Sequence, residues 1–508
     1  MPAAVSERLR ERAIHAPAEA ALVIYGAGKS SDTWTWARLD RVTAGIADVL
    51  STAATSPGKC MSMAVVGNGP QDIVNLIGML RLDLPLAVVS ARAPELETAS
   101  LCAALARRGY DIISIRETAA HVERSCFPVR DPLPPESLLV PTGGSTARPK
   151  VVIDPWLRSV GRRPRQVRPS SAMNWRPGQR QLIIGPLYHA APLTFFVEGL
   201  SDGNTLLAPR AFDADEALEA VREWQVEWLH ATPYHLRHLA IALDQAPTDL
   251  SSVRGLVHLA AACPAQLKRD WLSALRPDRV FEMYGATEGI GLTIARGDEW
   301  LRRPGTVGRG FFTHIRILDA DGRRVPAGET GHIYMRSGPR ARRFYLDAGD
   351  PISTTADGFA SVGDRGWVDD QGYLYLAARQ LKRVQVGGET VDPGEVESVL
   401  ASHPAVIEAA VMGIPDERLG ESLVAVVVVT DASHWDSKSM KRYLRERLAR
   451  YKVPRVIRFV DQVPHTETGK IDRRRLAGQV ASEDIADARR GEDSSRTQAT
   501  TRRPNFHG

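Results

Sequence analysis

The sequence predicts an α/β protein with largely parallel sheets, followed by a separate small α+β domain, and three observations predict it. Up to about residue 375, short β-rich runs such as "MSMAVVGN", "LPLAVVS", "RQLIIGPL" and "VRGLVHLAA" alternate with amphipathic segments. Near "ILDADGRRVPAGETGHIYM" the texture changes to β-rich pieces separated by Asp-Gly and Ala-Gly turns, with a further turn at Asp369 to Gly372, which implies an antiparallel subdomain. From Lys382 onward the order is strand, helix, strand, strand, helix, strand.

Each element has its local reason. In "FDADEALEAVREWQ", Asp213 is placed to cap a helix whose Ala217, Leu218, Val221 and Trp224 fall on one face. In the small domain, "RVQV", "VIEAAVMG", "LVAVVVV" and "RVIRFV" read as strands. "DPGEVESVLASH", with Asp392 as cap and Pro393 in the first turn, and "SMKRYLRERLARY" read as helices. The segment from 478 to 508 is polar and poor in large apolar residues, so it cannot bury enough surface to offset chain entropy and is expected to be disordered. "RSVGRRPRQVRPSS", from Arg158 to Ser171, carries two prolines that discourage a helix and reads as a solvated loop.

A chain of 508 residues requires more than one domain core. Its 65 basic and 60 acidic residues give a net charge of +5, too balanced to imply a nucleic-acid partner. Cys60, Cys102, Cys126 and Cys263 form no CxxC pair, which argues against a disulfide framework or a zinc site. The N-terminal residues lack the apolar stretch of a signal peptide, and the longest apolar run, "LVAVVVVT", is too short to span a bilayer. A cytoplasmic location is therefore expected; the sequence says nothing about oligomeric state.

The chemistry is concentrated in four places. The loop "VPTGGSTARPK" has three readings. A nucleophile elbow, G-x-S-x-G, is matched by Gly143 and Ser145 but not by Ala147, and Pro149 stands where a helix should begin. A Walker A loop fails for want of the helix that carries its lysine and hydroxyl. A different phosphate cradle remains, with Gly143 and Gly144 admitting anionic oxygens to the backbone N–H groups, Ser145 and Thr146 donating, and Lys150 adding charge. The other three are "FEMYGATEGIG" at 281–291, "FASVGDRGWVDDQGYLYLAARQLKRVQVGGETVDPGEVE" at 359–397 and "VPHTETGKIDRR" at 463–474.

Taken in this order, the four motifs resemble those of the adenylate-forming superfamily, which includes acyl-CoA synthetases, peptide-synthetase adenylation domains, luciferases and amide ligases. The resemblance runs from about residue 20 to 476 and is nearest to fatty-acid and bile-acid CoA ligases and the stand-alone amide bond synthetases. It implies a large N-terminal adenylation domain (1–381) of two α/β sheet subdomains plus a β-rich subdomain, and a small mobile C-terminal lid (382–477). It also implies ATP and Mg²⁺, a carboxylic acid activated as its acyl-adenylate with release of pyrophosphate, and transfer to CoA or, alternatively, to an amine. No carrier module follows the lid, so the acceptor is expected to be free or separate.

Residue by residue, the resemblance assigns Thr142, Gly143, Gly144, Ser145, Thr146 and Lys150 to the β- and γ-phosphates. Tyr284 and Gly285 go to the adenine side with Ala262 in "HLAAACP", Thr287 to the α-phosphate and Glu288 to the metal. Asp364 and Arg379 go to the ribose, and Lys470 bridges carboxylate and α-phosphate during adenylation. Lys382 falls at the hinge, ahead of the tunnel-lining glycines Gly387 and Gly388, and His189 in "GPLYHAAPL" falls beside the acid pocket. Cys263 reads as a packing residue. Two departures from the pattern are Ala147, where glycine is usual, and Ala378 before the hinge.

Overall fold

The computed structural model describes residues 4–480 except 27, 55–58, 94, 117–118, 125–128, 130–131, 136, 142–150, 155–159, 161, 339–343, 347–351, 378–383, 387, 417, 431–434 and 467–470. The chain divides into two compact units, Met1–Ala377 and Ala378–Gly508.

The larger unit is built on two sheets. In the first, six strands run parallel in the order Val280–Gly285, Gly255–His258, Trp228–Ala231, Arg180–Ile183, Thr205–Pro209 and Ala20–Gly26. Most of their residues are buried, which is why they read as unbroken apolar runs. On the Val280–Gly285 side the order continues antiparallel through Leu292–Arg296, Thr306–Gly310, Leu374–Leu376, Arg365–Val368 and Gly331–Ser337. This is the β-rich subdomain that the Asp-Gly turns announce. The second sheet has seven strands among the described residues, with Leu86–Ser90 and Cys60–Val66 at its centre.

One face of each sheet contributes to a single core. Val66 and Val88 of the second sheet share it with Ile183, Val257 and Phe281 of the first, and helices Trp36–Ala53, Pro70–Leu80 and Ala190–Asp202 fill it. The opposite face of the parallel array packs on helices Ala214–Trp224, Pro233–Gln245 and Ala265–Ala274. In the first of these, the Asp213 carboxylate accepts from the Glu216 N–H at 3.0 Å, and Ala217, Leu218 and Val221 are buried as their spacing demands.

"RSVGRRPRQVRPSS" is not wholly a solvated loop. Arg162, Arg163 and Arg165 are exposed, but Arg168 is buried and donates to Asp202 at 2.9 Å, with Glu198 at 3.7 Å. The acids on helix Ala190–Asp202 hold it there, because a buried guanidinium must be paired.

The smaller unit has five strands among its described residues, ordered Glu389–Val391, Val384–Val386, Gly420–Val429 and Val406–Asp416, with Val456–Phe459 parallel to Gly420–Val429. Helices Pro393–Ala401 and Ser437–Arg445 cover one face. Val463, Leu476 and Val480 cover the other, the last two on a helical stretch at 473–480. The second helix stops earlier than "SMKRYLRERLARY" suggests. Met440 and Leu444 are its buried residues, and beyond Arg445 the chain turns and runs into a 3₁₀ turn at Arg450–Lys452.

Candidate functional site

The parallel order brings together segments that are far apart in sequence. All six strands end on one edge of the sheet, where loops of open α/β sheets meet ligands. Strand Arg180–Ile183 leads to His189, the N-cap residue of helix Ala190–Asp202. Strand Gly255–His258 leads through Ala260 to the exposed Ala262, and strand Val280–Gly285 leads to Thr287 and Glu288. The last of these is also where the parallel array meets its antiparallel neighbour, Leu292–Arg296. Gly289, at φ 61°, makes the reversal between the two, and its N–H donates to the Ala286 carbonyl at 2.9 Å.

Two motifs join directly at this point. The Tyr284 hydroxyl donates to Asp364 Oδ2 at 2.8 Å across 80 residues of sequence. Gly363, at φ 89°, turns the chain just before Asp364, and the Asp364 carbonyl accepts from the Ile333 N–H at 2.9 Å. An aromatic ring beside a carboxylate offers a flat apolar surface and two acceptor oxygens, a combination suited to a base and a sugar diol. Both side chains are half-buried.

Glu288 lies four residues beyond Tyr284. Its Oε1 accepts from the Tyr345 hydroxyl at 2.7 Å. Burial first, and the Glu288 carboxylate second, raise the Tyr345 hydroxyl above its ordinary range, so it remains a donor and fixes the carboxylate. No group of three or more His, Cys, Asp or Glu side chains is arranged to hold a metal ion among the described residues. A cation here would be held by Glu288 together with ligand oxygens, and Mg²⁺ is commonly bound in that way.

Behind the pair, Lys268 and Glu282 form a buried ion pair, and the Lys268 ammonium also lies 4.9 Å from the Trp300 ring centroid. Burial raises the Glu282 carboxyl while Lys268 works against it. Glu282 is in register with His258, which burial, and then Lys268, hold neutral. These groups prop the strand two residues before Tyr284. Cys263 has the packing role expected of it, its thiol pushed up by burial to about 12 and thus unreactive at neutral pH.

The structure therefore brings Tyr284, Gly285, Thr287, Glu288 and Asp364 together, with His189 and Ala262 on the same edge of the sheet. Thr142, Gly143, Gly144, Ser145, Thr146, Ala147, Lys150, Ala378, Arg379, Lys382, Gly387 and Lys470 lie outside the described residues. Sequence reasoning missed Tyr345, a lone tyrosine with no motif around it. It also missed His230, in the buried strand Trp228–Ala231, and Ala260, which sits at φ 74°.

Residues 108–346 match the AMP-binding enzyme family, and residues 395–470 match the AMP-binding enzyme C-terminal domain. A feruloyl-CoA synthase from an Amycolatopsis species is 35% identical over 349 residues, covering 68% of this chain and 69% of that protein. A 2-succinylbenzoate–CoA ligase from Bacillus licheniformis is 32% identical over 340 residues, 66% of this chain and 68% of that one. Among solved structures, the o-succinylbenzoate CoA synthetase of Bacillus subtilis, in complex with its acyl-adenylate intermediate, superposes with a TM-score of 0.71. That match covers 92% of this chain and 97% of the other at 23% identity. An amide bond synthetase from Marinactinospora thermotolerans gives 0.68 over 94% and 99% at 24% identity. At these identities the two structures bear on the fold, which they share with this chain.

Proposed function

The chain belongs to the AMP-binding enzyme family and is an adenylate-forming ligase, and from that premise we propose that it joins a carboxylic acid to CoA through an acyl-adenylate. The observation that carries the reading is the Tyr284–Asp364 hydrogen bond at the end of the last parallel strand, with Glu288 four residues further on. It makes one cradle from two of the motifs, suited to an adenosine on one side and a phosphate-bound cation on the other.

Activating a carboxylate with ATP brings one anion up to another, so the site must neutralise charge and hold the attacking and leaving oxygens in line. Tyr284 lies against the adenine, with Gly285 and Ala262 beside it, and Asp364 and Arg379 take the ribose hydroxyls. Thr287 donates to the α-phosphate, and Thr142 to Lys150 wrap the β- and γ-phosphates. Glu288, oriented by Tyr345, would hold Mg²⁺, which would offset phosphate charge. Lys470 carries positive charge to the carboxylate and α-phosphate, and His189 stands beside the acid. Residues 382–477 act as a lid on the adenylation domain 1–381. Rotation about Lys382 withdraws Lys470 and presents Gly387 and Gly388 for the transfer step.

CoA as acceptor is supported by the feruloyl-CoA synthase and 2-succinylbenzoate–CoA ligase relatives, both named for CoA. An amine is the alternative acceptor, in keeping with a fold shared with an amide bond synthetase. The test is acid-dependent exchange of pyrophosphate into ATP over a panel of carboxylic acids. Exchange that persists in Ser145→Ala but falls about a thousandfold in Lys470→Ala is the expected outcome. Acid turnover without any ATP dependence would overturn the reading. Mass detection of a thioester with CoA, against an amide with added amines, then assigns the acceptor.

A further inference from the structure

The edge of the parallel sheet has two faces, and Tyr284 marks one of them. Side chains alternate along a strand, so Glu282 and Tyr284 project to one side, and Phe281, Met283 and Gly285 to the other. His230 pairs in register with Ile183 and with Val257, and Val257 pairs with Phe281, so all four share the second face. It is the face opposite Tyr284.

On that face His230 is 3% exposed, and neither of its ring nitrogens has a hydrogen-bond partner among the described residues. A buried polar group left without a partner is costly, and native structures seldom keep one without a use for it. Burial lowers the imidazole to about 3, so the ring is neutral, with one N–H donor and one acceptor nitrogen.

The groups around the imidazole are a glycine, a proline and two aromatic rings. Nε2 faces Gly185, the second residue beyond strand Arg180–Ile183, where a Cβ would lie 3.7 Å from this nitrogen and 2.7 Å from Pro192. A side chain there would collide with Pro192, so glycine is what lets the chain leaving strand Arg180–Ile183 pass this close to the nitrogen. The Phe195 ring centroid is 5.3 Å from the imidazole and that of Trp228 is 6.3 Å away, rings that favour a flat unsaturated neighbour. One strand, Gly255–His258, separates His230 from the strand that leads to Thr287, a lateral offset of about 10 Å at two inter-strand spacings.

We infer that His230 reads a ring hydroxyl on the acid, so that the substrates are hydroxylated aromatic acids long enough to cross that offset. The inference rests on the adenylation reading. A hydroxyl can donate to the bare nitrogen or accept from the N–H, and it satisfies His230 in either tautomer. A phenylpropenoic skeleton carries a para hydroxyl across the gap from a carboxylate held near Thr287, whereas a benzoic one falls short. The preference is strong because an acid without the hydroxyl leaves the buried imidazole unpaired in the complex.

The test measures acid-dependent pyrophosphate exchange with 4-hydroxycinnamate and cinnamate, which differ by one hydroxyl, in the full chain and in His230→Leu and His230→Gln. The unsubstituted chain is expected to favour the hydroxylated acid by about a hundredfold in kcat/KM. In His230→Leu that ratio should fall to within about threefold of unity, and His230→Gln, which still donates and accepts, should keep an intermediate preference. Ligand-induced thermal shifts with the same two acids give a second readout independent of turnover. A preference ratio unchanged in His230→Leu, or equal losses with both acids, overturns the inference. So does exchange with aliphatic acids while both cinnamates are refused, an outcome that leaves adenylation standing. Failure of every acid in the panel removes the adenylation reading itself.

Discussion

The two faces of the same sheet edge solve opposite problems. On one, Tyr284 and Asp364 hold each other at 2.8 Å and Glu288 is held by Tyr345 at 2.7 Å, so polar groups are oriented by polar partners. On the other, His230 sits among Ile183, Val257 and Phe195 with no such partner among the described residues. A face that meets an invariant ligand can be preassembled. A face that must select among acids keeps its polar group in reserve, so that the right ligand completes it.

This contrast is broken most sharply by Asp364→Ala, the substitution with the largest expected effect. It removes the acceptor for Tyr284 and, on the proposed reading, a ribose contact, interactions to a charged group worth on the order of 1.5–3 kcal/mol each. The KM for ATP in the exchange assay should rise about a hundredfold, while the KM for the acid moves less than about threefold. Equal increases in both would show that the two faces are not separable. Together with His230→Leu, which shifts acid preference, it forms a crossed pair of variants.

The helix behind the acid face provides the next test. Glu198 lies one turn after Phe195, buried among Ser170, which donates to it, Arg168 at 3.7 Å and Asp202, which also accepts from the Trp175 indole at 2.8 Å. Burial pushes its carboxyl up to about 7, against the opposing pull of Ser170 and Arg168. A raised folded-state value means that the folded chain binds more protons than the unfolded one between about 4.5 and 7. The contribution is thus complete below the unfolded value and lost as pH rises through about 7. Between pH 5 and 8 this group should remove on the order of 1–3 kcal/mol of stability. Glu198→Gln, permanently neutral, should flatten that part of the slope in urea midpoints. Parallel slopes in the two proteins would mean that the acid is ionised throughout.

The difference between the faces also explains what could be read from the sequence. The parallel strands were legible because burial on both sides leaves continuous apolar runs, and the antiparallel region because its turns are spelled Asp-Gly and Ala-Gly. "YGATEG" and "SVGD" were legible through their resemblance, in order along the chain, to the motifs of adenylate-forming enzymes. His230 was not, since a single histidine in "VEWLHATP" reads as a buried strand with a polar accident, and only the register shows which face it serves. Arg168 was hidden among four other arginines between 158 and 168, and composition cannot say which of five is buried. Tyr345 meets Glu288 from 57 residues away through a tertiary contact that no local pattern encodes.

Ala260 is hidden for a different reason and yields the smallest expected effect. It follows strand Gly255–His258 at φ 74°, in the left-handed region that costs a side-chain-bearing residue about 1–2 kcal/mol, and alanine gives no sequence sign of it. The Leu259 N–H donates to the Ala231 carbonyl at 3.2 Å just before it, so the backbone on its N-terminal side is fixed by the sheet and cannot easily relax. Glycine relieves the strain but gives the unfolded chain more freedom, a penalty of about 0.4–1 kcal/mol. Ala260→Gly should therefore stabilise by about 0.5–1 kcal/mol, a rise in Tm on the order of 1–2 °C for a unit of this size. The turn joins strand Gly255–His258 to Ala262 at the edge where the parallel strands end, and strain kept at such a place holds geometry that a relaxed loop would lose. The variant should accordingly melt later and exchange pyrophosphate more slowly, by about threefold to tenfold. A gain in Tm with undiminished exchange would show that the strained turn serves neither face.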